Sequence, residues 1–392
     1  MTTKQHWILP EGIEEVLPEQ AARLEAMRRL LLDLYATWGY ELVMPPTIDF
    51  IESLLTGTGH DLDLQTFKLV DQMSGRTLGL RADMTPQVAR IDVHQLRRDV
   101  PTRLCYMGTV LRTRPESIGD SRSPLQVGAE LYGHAGVESE VEILGLMLQT
   151  FSALGIDDIY LDLGNVDIYR GLAEQAGLSS EIESQLFDML QRKAVTEINT
   201  LLDSLDIDDK VKTMLAGLSS LNGDRSVIAH ARELLADAND SVKLAIDYLE
   251  KTAELMWQRY GEIKVHFDLS ELHGYHYKTG VVFAAFVPQL GQAIARGGRY
   301  DDIGKIFGRA RAATGFSTDL KVLSQLASKH FTAAEKIFAP VDESPELKEK
   351  ITQLRNDGNV VIQQLPDVEA DAEAMGCSRR LCLVDGQWLV KD

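Results

Sequence analysis

Gln126-Val127-Gly128-Ala129-Glu130-Leu131-Tyr132-Gly133 alternates, residue by residue, between two kinds of surface. In an extended strand successive side chains point to opposite faces. Val127, Ala129 and Leu131 therefore make one apolar face fit for a core, while Gln126, Gly128, Glu130 and Tyr132 share the other. That second face is polar, with a glycine in its middle that leaves room for a ligand. Residues 103–113 repeat the arrangement, with Gly108 and Arg112 on one face and Cys105, Met107 and Leu111 on the opposite one. Upstream, Arg81 and Asp83 end a third strand and Thr85 starts a helix. An arginine can hold a carboxylate and an acidic group can hold an ammonium or an imidazole, so charges of both signs on a sheet face suit a zwitterion. The same residues also suit an internal ion-pair network without a ligand, or a solvated sheet face, and the pattern alone leaves that choice open.

Working outward, residues 19–38 carry Leu24, Met27, Leu31, Leu34 and Trp38 at helical spacing, and Gly39 stops the helix. Residues 40–44 read as a short strand halted by Pro45 and Pro46, 66–70 and 77–82 as a hairpin, 85–96 and 137–154 as helices, and 159–163 as a strand. From about 170 to 261 the period changes, and helical patterns at 181–192, 195–205, 225–238 and 241–260 follow one another without a convincing strand. Strands return at 264–269, 281–287 and 292–296, a helix at 318–327 closes the main domain, and the tail from 336 is a small β-α-β pattern. Gly297-Gly298-Arg299-Tyr300-Asp301 reads as a tight backbone turn. Glu138, Glu140 and Glu142 read as a solvated helix face. Long antiparallel-looking stretches with few βαβ crossovers indicate an α+β fold over a doubly wound sheet. The expected division is a core in two parts, 1–169 and 263–328, interrupted by a helical insertion at 170–262 and followed by a small α/β module at 329–392.

The chain has 392 residues, enough to bury a large core, and its 40 Lys and Arg against 59 Asp and Glu give a formal charge of −19. Such a surface repels phosphate backbones, so binding along a nucleic-acid duplex is not expected. The three cysteines, Cys105, Cys377 and Cys382, are odd in number and without metal spacing, which suits a reduced, cytoplasmic compartment. No secretory signal is visible in the first ten residues, and no apolar run is long enough to span a membrane. Nucleotide-binding glycine loops, HExxH, GxSxG and paired CxxC motifs are all missing, so no cofactor is expected. His273 and His276 stand three apart, but no carboxylate or thiolate at ligand spacing accompanies them and no metal is expected.

At these residues the chain resembles the catalytic core of histidyl-tRNA synthetase, a class II synthetase fold. It resembles more closely the branch of that family that serves as the regulatory subunit of ATP phosphoribosyltransferase. The resemblance runs from Gly12 to about Leu326. Trp38-Gly39-Tyr40-Glu41-Leu42-Val43-Met44-Pro45 is similar to the first class II motif, a helix and strand that form the dimer interface. Leu80-Arg81-Ala82-Asp83-Met84-Thr85 matches the stretch that grips the substrate amino group, with Asp in place of Glu. Arg112, through Gly119, to Gln126, Gly128 and Glu130 matches the second motif and its histidine-binding strand. His273-Gly274-Tyr275-His276-Tyr277-Lys278-Thr279-Gly280 occupies the histidine-specific segment, and Gly297-Gly298-Arg299-Tyr300-Asp301 is a further match.

Carried over residue by residue, the resemblance implies that Asp83 and Thr85 take the ammonium of L-histidine and that Arg112 with Gln126 takes its carboxylate. Glu130 with Tyr300 reads the imidazole and Tyr277 walls the pocket, while Lys278 replaces a second tyrosine. The departures concern ATP. Adenylation needs cations where negative charge builds up on phosphates. The segment's arginine aligns with His273 and the third-motif arginine with Val322, Arg114 replaces an acidic residue, and Asp120 stands where a basic loop residue is expected. The tail, where the synthetase reads tRNA, has nine acidic residues against three basic ones between Pro340 and Met375. The resemblance therefore implies a non-catalytic histidine sensor, a homodimer within a hetero-oligomer, whose partner is the short-form catalytic subunit of ATP phosphoribosyltransferase. The rival expectation is a histidine-activating ligase.

Overall fold

The structure is a computed structural model that describes residues 8–55, 60–115, 120–270, 274–275, 277–331 and 335–392. Gly119, His273 and His276 lie outside the described residues. The chain divides into two compact units after Lys329.

The strands of the larger unit are β1 (Glu41–Leu42), β2 (Ile48–Phe50), β3 (Lys68–Val70), β4 (Thr77–Leu80), β5 (Thr102–Thr109) and β6 (Leu125–Tyr132), then β7 (Tyr160–Asn165), β8 (Asn222–Gly223), β9 (Lys264–Asp268), β10 (Val281–Phe286), β11 (Ala295–Arg299) and β12 (Ala313–Asp319). Among the described residues nine of them form one sheet in the order β1-β5-β6-β12-β11-β10-β7-β9-β8, and β2-β4-β3 form a small second sheet. The large sheet is antiparallel in its middle, as an α+β fold requires, with parallel pairing only of β1 with β5 and of β7 with β9.

The two faces of β6 settle what covers each side of this sheet. Val127, Ala129 and Leu131 are buried, and Ala129 stands opposite Phe316 of β12, which meets Tyr35 edge-on at 6.4 Å between ring centroids. Tyr35 belongs to the helix Pro18–Thr37, so the long helices lie on this apolar face. The opposite face carries Glu130 and packs Leu104, Tyr106, Tyr132 and Tyr300 against Val88 and Ala89 of the helix Thr85–Arg90.

Three expectations are corrected here. Gly297, Gly298 and Arg299 are not a turn but the end of β11, the two glycines paired with β10 on one side and all three residues with β12 on the other. Glycines are used in these strands because neighbours occupy the space of their side chains: a Cβ on Gly297 would fall inside the Phe283 ring. Residues 313–319 form β12, a strand not expected from the sequence, because Ala313-Thr314-Gly315-Phe316-Ser317-Thr318-Asp319 has no apolar alternation. Glu140 and Glu142 are not a solvated helix face. Arg299 of β11 points to the helix-covered side and forms an ion pair with Glu140 of the helix Val137–Ala153, their side chains 5% and 0% exposed. Arg103 holds Glu142 through two bonds of 2.6 and 2.7 Å. Only Glu138 of the three is exposed.

Between β7 and β9 the chain is helical: Val166–Gln175, Ser180–Gln191, Val195–Ser204, Asp209–Gly217, Ser226–Leu234 and Asp240–Tyr260. Four of these helices start at a side chain that accepts a bond from the first turn, namely Asn165, Ser179, Asp208 and Asn239. The segment is interrupted by the two-residue β8, which pairs with β9. In the smaller unit, β13 (Lys336–Ala339), β14 (Val360–Gln363), β15 (Arg379–Val384) and β16 (Gln387–Lys391) form a sheet in the order β14-β13-β15-β16. Leu347 and Ile351 of the helix Pro345–Asn356 close its core against Ile337, Val361 and Leu381. No helix among the described residues is long and apolar enough to cross a membrane.

Candidate functional site

Asp83, Thr85, Arg112, Gln126, Glu130, Tyr277 and Tyr300 all line one cleft of about 1180 Å³ in the larger unit. Five separate parts of the chain supply them. Asp83 and Thr85 come from the turn between β4 and the helix Thr85–Arg90, Arg112 from beyond the end of β5, and Gln126 and Glu130 from β6. Tyr300 follows β11 directly, and Tyr277 belongs to the segment before β10.

Glu130 is the deepest group, 1% exposed. Its Oε1 accepts from the Tyr106 hydroxyl at 2.9 Å and from Thr85 Oγ1 at 3.2 Å, and its Oε2 accepts from the Tyr300 hydroxyl. Burial pushes its carboxyl up to about 8, and the negative charge of Asp83 adds to this, while the hydroxyls of Tyr300, Tyr106 and Thr85 pull the other way. Burial, and then the neighbouring Glu130, holds the phenols of Tyr106 and Tyr300 well above the ordinary tyrosine range. Both therefore stay protonated and donate. Once ionised, this carboxylate has about four lone-pair sites, so three hydroxyl donors leave it able to accept one more bond.

Gln126 is oriented rather than loose. Its Nε2 donates to Asp83 Oδ1 at 2.7 Å and its Oε1 accepts from the Met84 backbone N–H at 3.0 Å. Asp83 Oδ1 also accepts from the Thr85 backbone N–H at 3.0 Å. Arg112 Nε donates to the Ala82 carbonyl at 3.4 Å, which sets the guanidinium beside this cluster. Tyr277 differs from the rest: it stands at the rim, 36% exposed. The arrangement offers an acidic pole at Asp83, a cation at Arg112 and a buried acceptor at Glu130.

Reading the sequence missed two contributors. Tyr106 shares the face of Gly108 on β5 and stands opposite Gly128. The space left by Gly128 is filled by the Tyr106 phenol, where a Cβ would collide, so that glycine makes room for a tyrosine and not for a ligand. Gly108 likewise accommodates Arg81, whose Nη2 lies 2.6 Å from the place of a Cβ. The second contributor is Gly315 of β12, opposite Glu130, where any Cβ would overlap the carboxylate. Same-face counting from Gly108 gives Tyr106, but Gly315 needs the register of a strand that carries no periodic signal. Among the described residues no group of three or more His, Cys, Asp or Glu side chains could hold a metal ion.

The wall that carries Tyr277 is fastened to the helical segment. The Tyr275 ring sits 5.3 Å from Tyr169 and 5.3 Å from Phe187, and its hydroxyl donates to Glu183. Arg170 lies 5.0 Å over the same ring and donates to the carbonyls of Tyr275 and Lys278 at 3.2 and 2.9 Å.

A family model described as histidyl-tRNA synthetase matches residues 12–323, and one described as the C-terminal domain of the ATP phosphoribosyltransferase subunit HisZ matches residues 334–391. A Thioalkalivibrio sulfidiphilus protein named "ATP phosphoribosyltransferase regulatory subunit" is 59% identical, with 100% of each chain covered. The chain belongs to this regulatory-subunit family. A Methylococcus capsulatus member of the same name is 55% identical over 98% of this chain and 95% of its own. A Bacillus halodurans structure titled as an ATP phosphoribosyltransferase regulatory subunit/histidyl-tRNA synthetase superposes with a TM-score of 0.83 at 28% identity, covering 94% of this chain and 96% of that one. A Nostoc histidyl-tRNA synthetase shares the fold at a TM-score of 0.74 and 17% identity, over 96% of this chain and 91% of that one. The class II synthetase-like fold expected from the motifs is thus established, and the regulatory-subunit family belongs to histidine biosynthesis.

Proposed function

We propose that the chain is a non-catalytic subunit that binds L-histidine in the cleft around Glu130. On this reading it activates the short-form catalytic subunit of ATP phosphoribosyltransferase by assembling with it, as a homodimer within a hetero-oligomer, and transmits feedback inhibition when histidine is bound. The observation that carries the reading is the cleft itself, where the Asp83 carboxylate, the Arg112 guanidinium and the buried Glu130 match the three polar parts of histidine. Asp83 and Thr85 take the ammonium, Arg112 and Gln126 the carboxylate, and Glu130 with Tyr300 the ring, with Tyr277 as a wall. The non-catalytic part is supported by Val322, an aliphatic residue that lines the cleft where the resemblance puts a phosphate-binding arginine. Losing one such charge stabiliser costs on the order of 10²–10³ in rate. The reading places the subunit in the cytoplasm, with no nucleic acid, membrane or cofactor as partner.

Feedback requires that histidine bind the active and inhibited assemblies unequally, and by linkage the substrates of the catalytic subunit weaken histidine in return. The test is to mix the purified chain with the catalytic subunit, with and without histidine. A gain in rate on mixing and its loss with histidine are expected; no gain on mixing together with no effect of histidine would refute the proposal. Arg112→Ala should abolish inhibition and preserve assembly. The Bacillus halodurans title, which names both roles, supports one competing reading, a histidine-activating ligase. Histidine-dependent exchange of pyrophosphate into ATP by the isolated chain would establish that reading instead.

A further inference from the structure

Carrying the register of β5 and β6 past Thr109 and Leu125 brings Arg112 opposite Arg122. At this place in an antiparallel ladder the two residues would exchange a pair of N–H···O bonds. Only one of the pair is a backbone bond, from the Arg112 N–H to the Arg122 carbonyl at 2.9 Å. The Arg122 N–H turns away and donates to the Gly12 carbonyl at 2.7 Å. The Arg122 side chain makes the missing bond instead: its Nε donates to the Arg112 carbonyl at 3.0 Å, and its Nη1 to the Glu11 carbonyl at 3.0 Å. The guanidinium also lies 5.2 Å over the Phe67 ring. Gly12 has a φ of +72°, and a Cβ there would stand 2.9 Å from Arg122 Cγ and Cδ, so the glycine lets the arginine stem lie flat on the chain.

Two walls of the cleft meet at this one side chain. Arg112 lines the cleft, and so do Gly12, Ile13 and Glu14 of the strap ahead of the helix Pro18–Thr37. Arg122 stands behind both, outside the lining. Beyond Arg122 the strap is tied by Glu14, which pairs with Lys321 at 2.9 Å. The neighbours of Arg112 are held from the other side, Leu111 donating to the Arg81 carbonyl at 3.0 Å and Thr113 to the Gln65 carbonyl at 2.9 Å. The Arg112 carbonyl is left to Arg122. A guanidinium grips a carboxylate through two parallel bonds, a geometry that tolerates little rotation. The bond from Arg112 Nε to the Ala82 carbonyl is long, at 3.4 Å, so the aim of this guanidinium depends on where its backbone is set.

We propose that Arg122 is a positioning residue of the cleft: it fixes the Arg112 backbone, and through it the guanidinium that takes the carboxylate of the ligand. This rests on the reading of the cleft as a histidine site. The experiment is calorimetry on the full chain with L-histidine and with L-histidinol, which carries a hydroxymethyl group in place of the carboxylate. The chains compared are the wild type, Arg122→Met, Arg122→Lys, Arg112→Ala, and Arg112→Ala combined with Arg122→Met. The wild type should bind histidine more tightly than histidinol. Arg122→Met should weaken histidine by roughly 10-fold, the lower end of what a hydrogen bond to a charged group supplies, and leave histidinol unchanged. On the Arg112→Ala background the same change should cost nothing further, because two residues that act through one contact are not additive. Arg122→Lys has no fork to span two carbonyls and should show a smaller loss, again for histidine alone. Equal weakening of both ligands, or an undiminished further loss on the Arg112→Ala background, overturns the positioning role in favour of a merely structural one. Histidine binding by Arg122→Met at wild-type strength overturns it outright. If Arg122→Met does not fold, Arg122→Lys decides by the same comparison of the two ligands. A wild type that binds both ligands equally overturns Arg112 as the carboxylate partner, and this inference with it. A wild-type chain that binds no histidine overturns the histidine site and this inference together.

Discussion

Replacing Glu130 by Gln tests the chemistry of the cleft floor without a ligand. The wild-type carboxyl sits at about 8 in the folded chain against an ordinary 4.5. A group whose folded pKa is raised contributes stability that is fully present below the unfolded value and is lost as pH rises toward the folded one. Folding therefore binds a proton at Glu130 throughout the interval between the two, and each pH unit there removes about 1.4 kcal/mol from the wild type. Glutamine keeps one carbonyl acceptor, presents an N–H to whichever of the Tyr106 and Tyr300 hydroxyls faces the other end of the amide, and does not titrate. Between about pH 5.5 and pH 7.5 the Glu130→Gln chain should gain roughly 3 kcal/mol relative to the wild type. Above about pH 8 the difference should level off, because Glu130 is then ionised in both states. Urea denaturation of both chains in parallel at several pH values reads this difference directly, since every other titrating group cancels. Denaturation curves that keep a constant offset across the range would refute the claim that Glu130 holds a proton in the unliganded fold.

Three further outcomes follow from the packing. Gly128→Ala should cost about 1–3 kcal/mol by overpacking against the Tyr106 phenol, and adding it to Tyr106→Ala should cost almost nothing, both read by urea denaturation. Arg299→Met leaves the buried Glu140 without its cation, with the Tyr248 hydroxyl still donating to it, so a loss of about 3–5 kcal/mol is expected; the double change with Glu140→Leu should recover most of it, and the same denaturation series checks this. Burial pushes the Cys105 thiol up to about 12, so a thiol reagent at about pH 8 should label the half-buried Cys377 and Cys382 in the native chain and Cys105 only after unfolding.

The parts of the fold that could be read from the sequence are those with a strong local period. The alternation of 126–133 gives β6 within a residue, and the apolar spacing of 19–38 and 137–154 gives both long helices. What could not be read depends on partners distant in the chain. Arg299 and Tyr300 look like a turn because two glycines precede them, yet their alternation carries one to Glu140 and the other to Glu130. Residues 313–319 look like a loop because Gly315 answers to Glu130, Phe316 to Tyr35 and Ser317 to a cleft, none of which is local. Within the cleft, Asp83, Thr85, Gln126 and Glu130 were legible as a set because strand parity and a helix start bring them together. Tyr106 was legible only in hindsight, since its role follows from the glycine opposite it.

The seating of Tyr275 among Tyr169, Phe187 and Glu183 joins the fate of the cleft to that of the helices behind it. A ligand gripped by the wall at 277–278 meets a complete cleft only in those molecules whose Tyr275 is in place. The affinity such a ligand shows is its intrinsic value multiplied by that occupied fraction. Fraying of the helices Val166–Gln175 and Ser180–Gln191 is therefore a leak in recognition, and any partner that braces them tightens the grip from outside without touching the ligand.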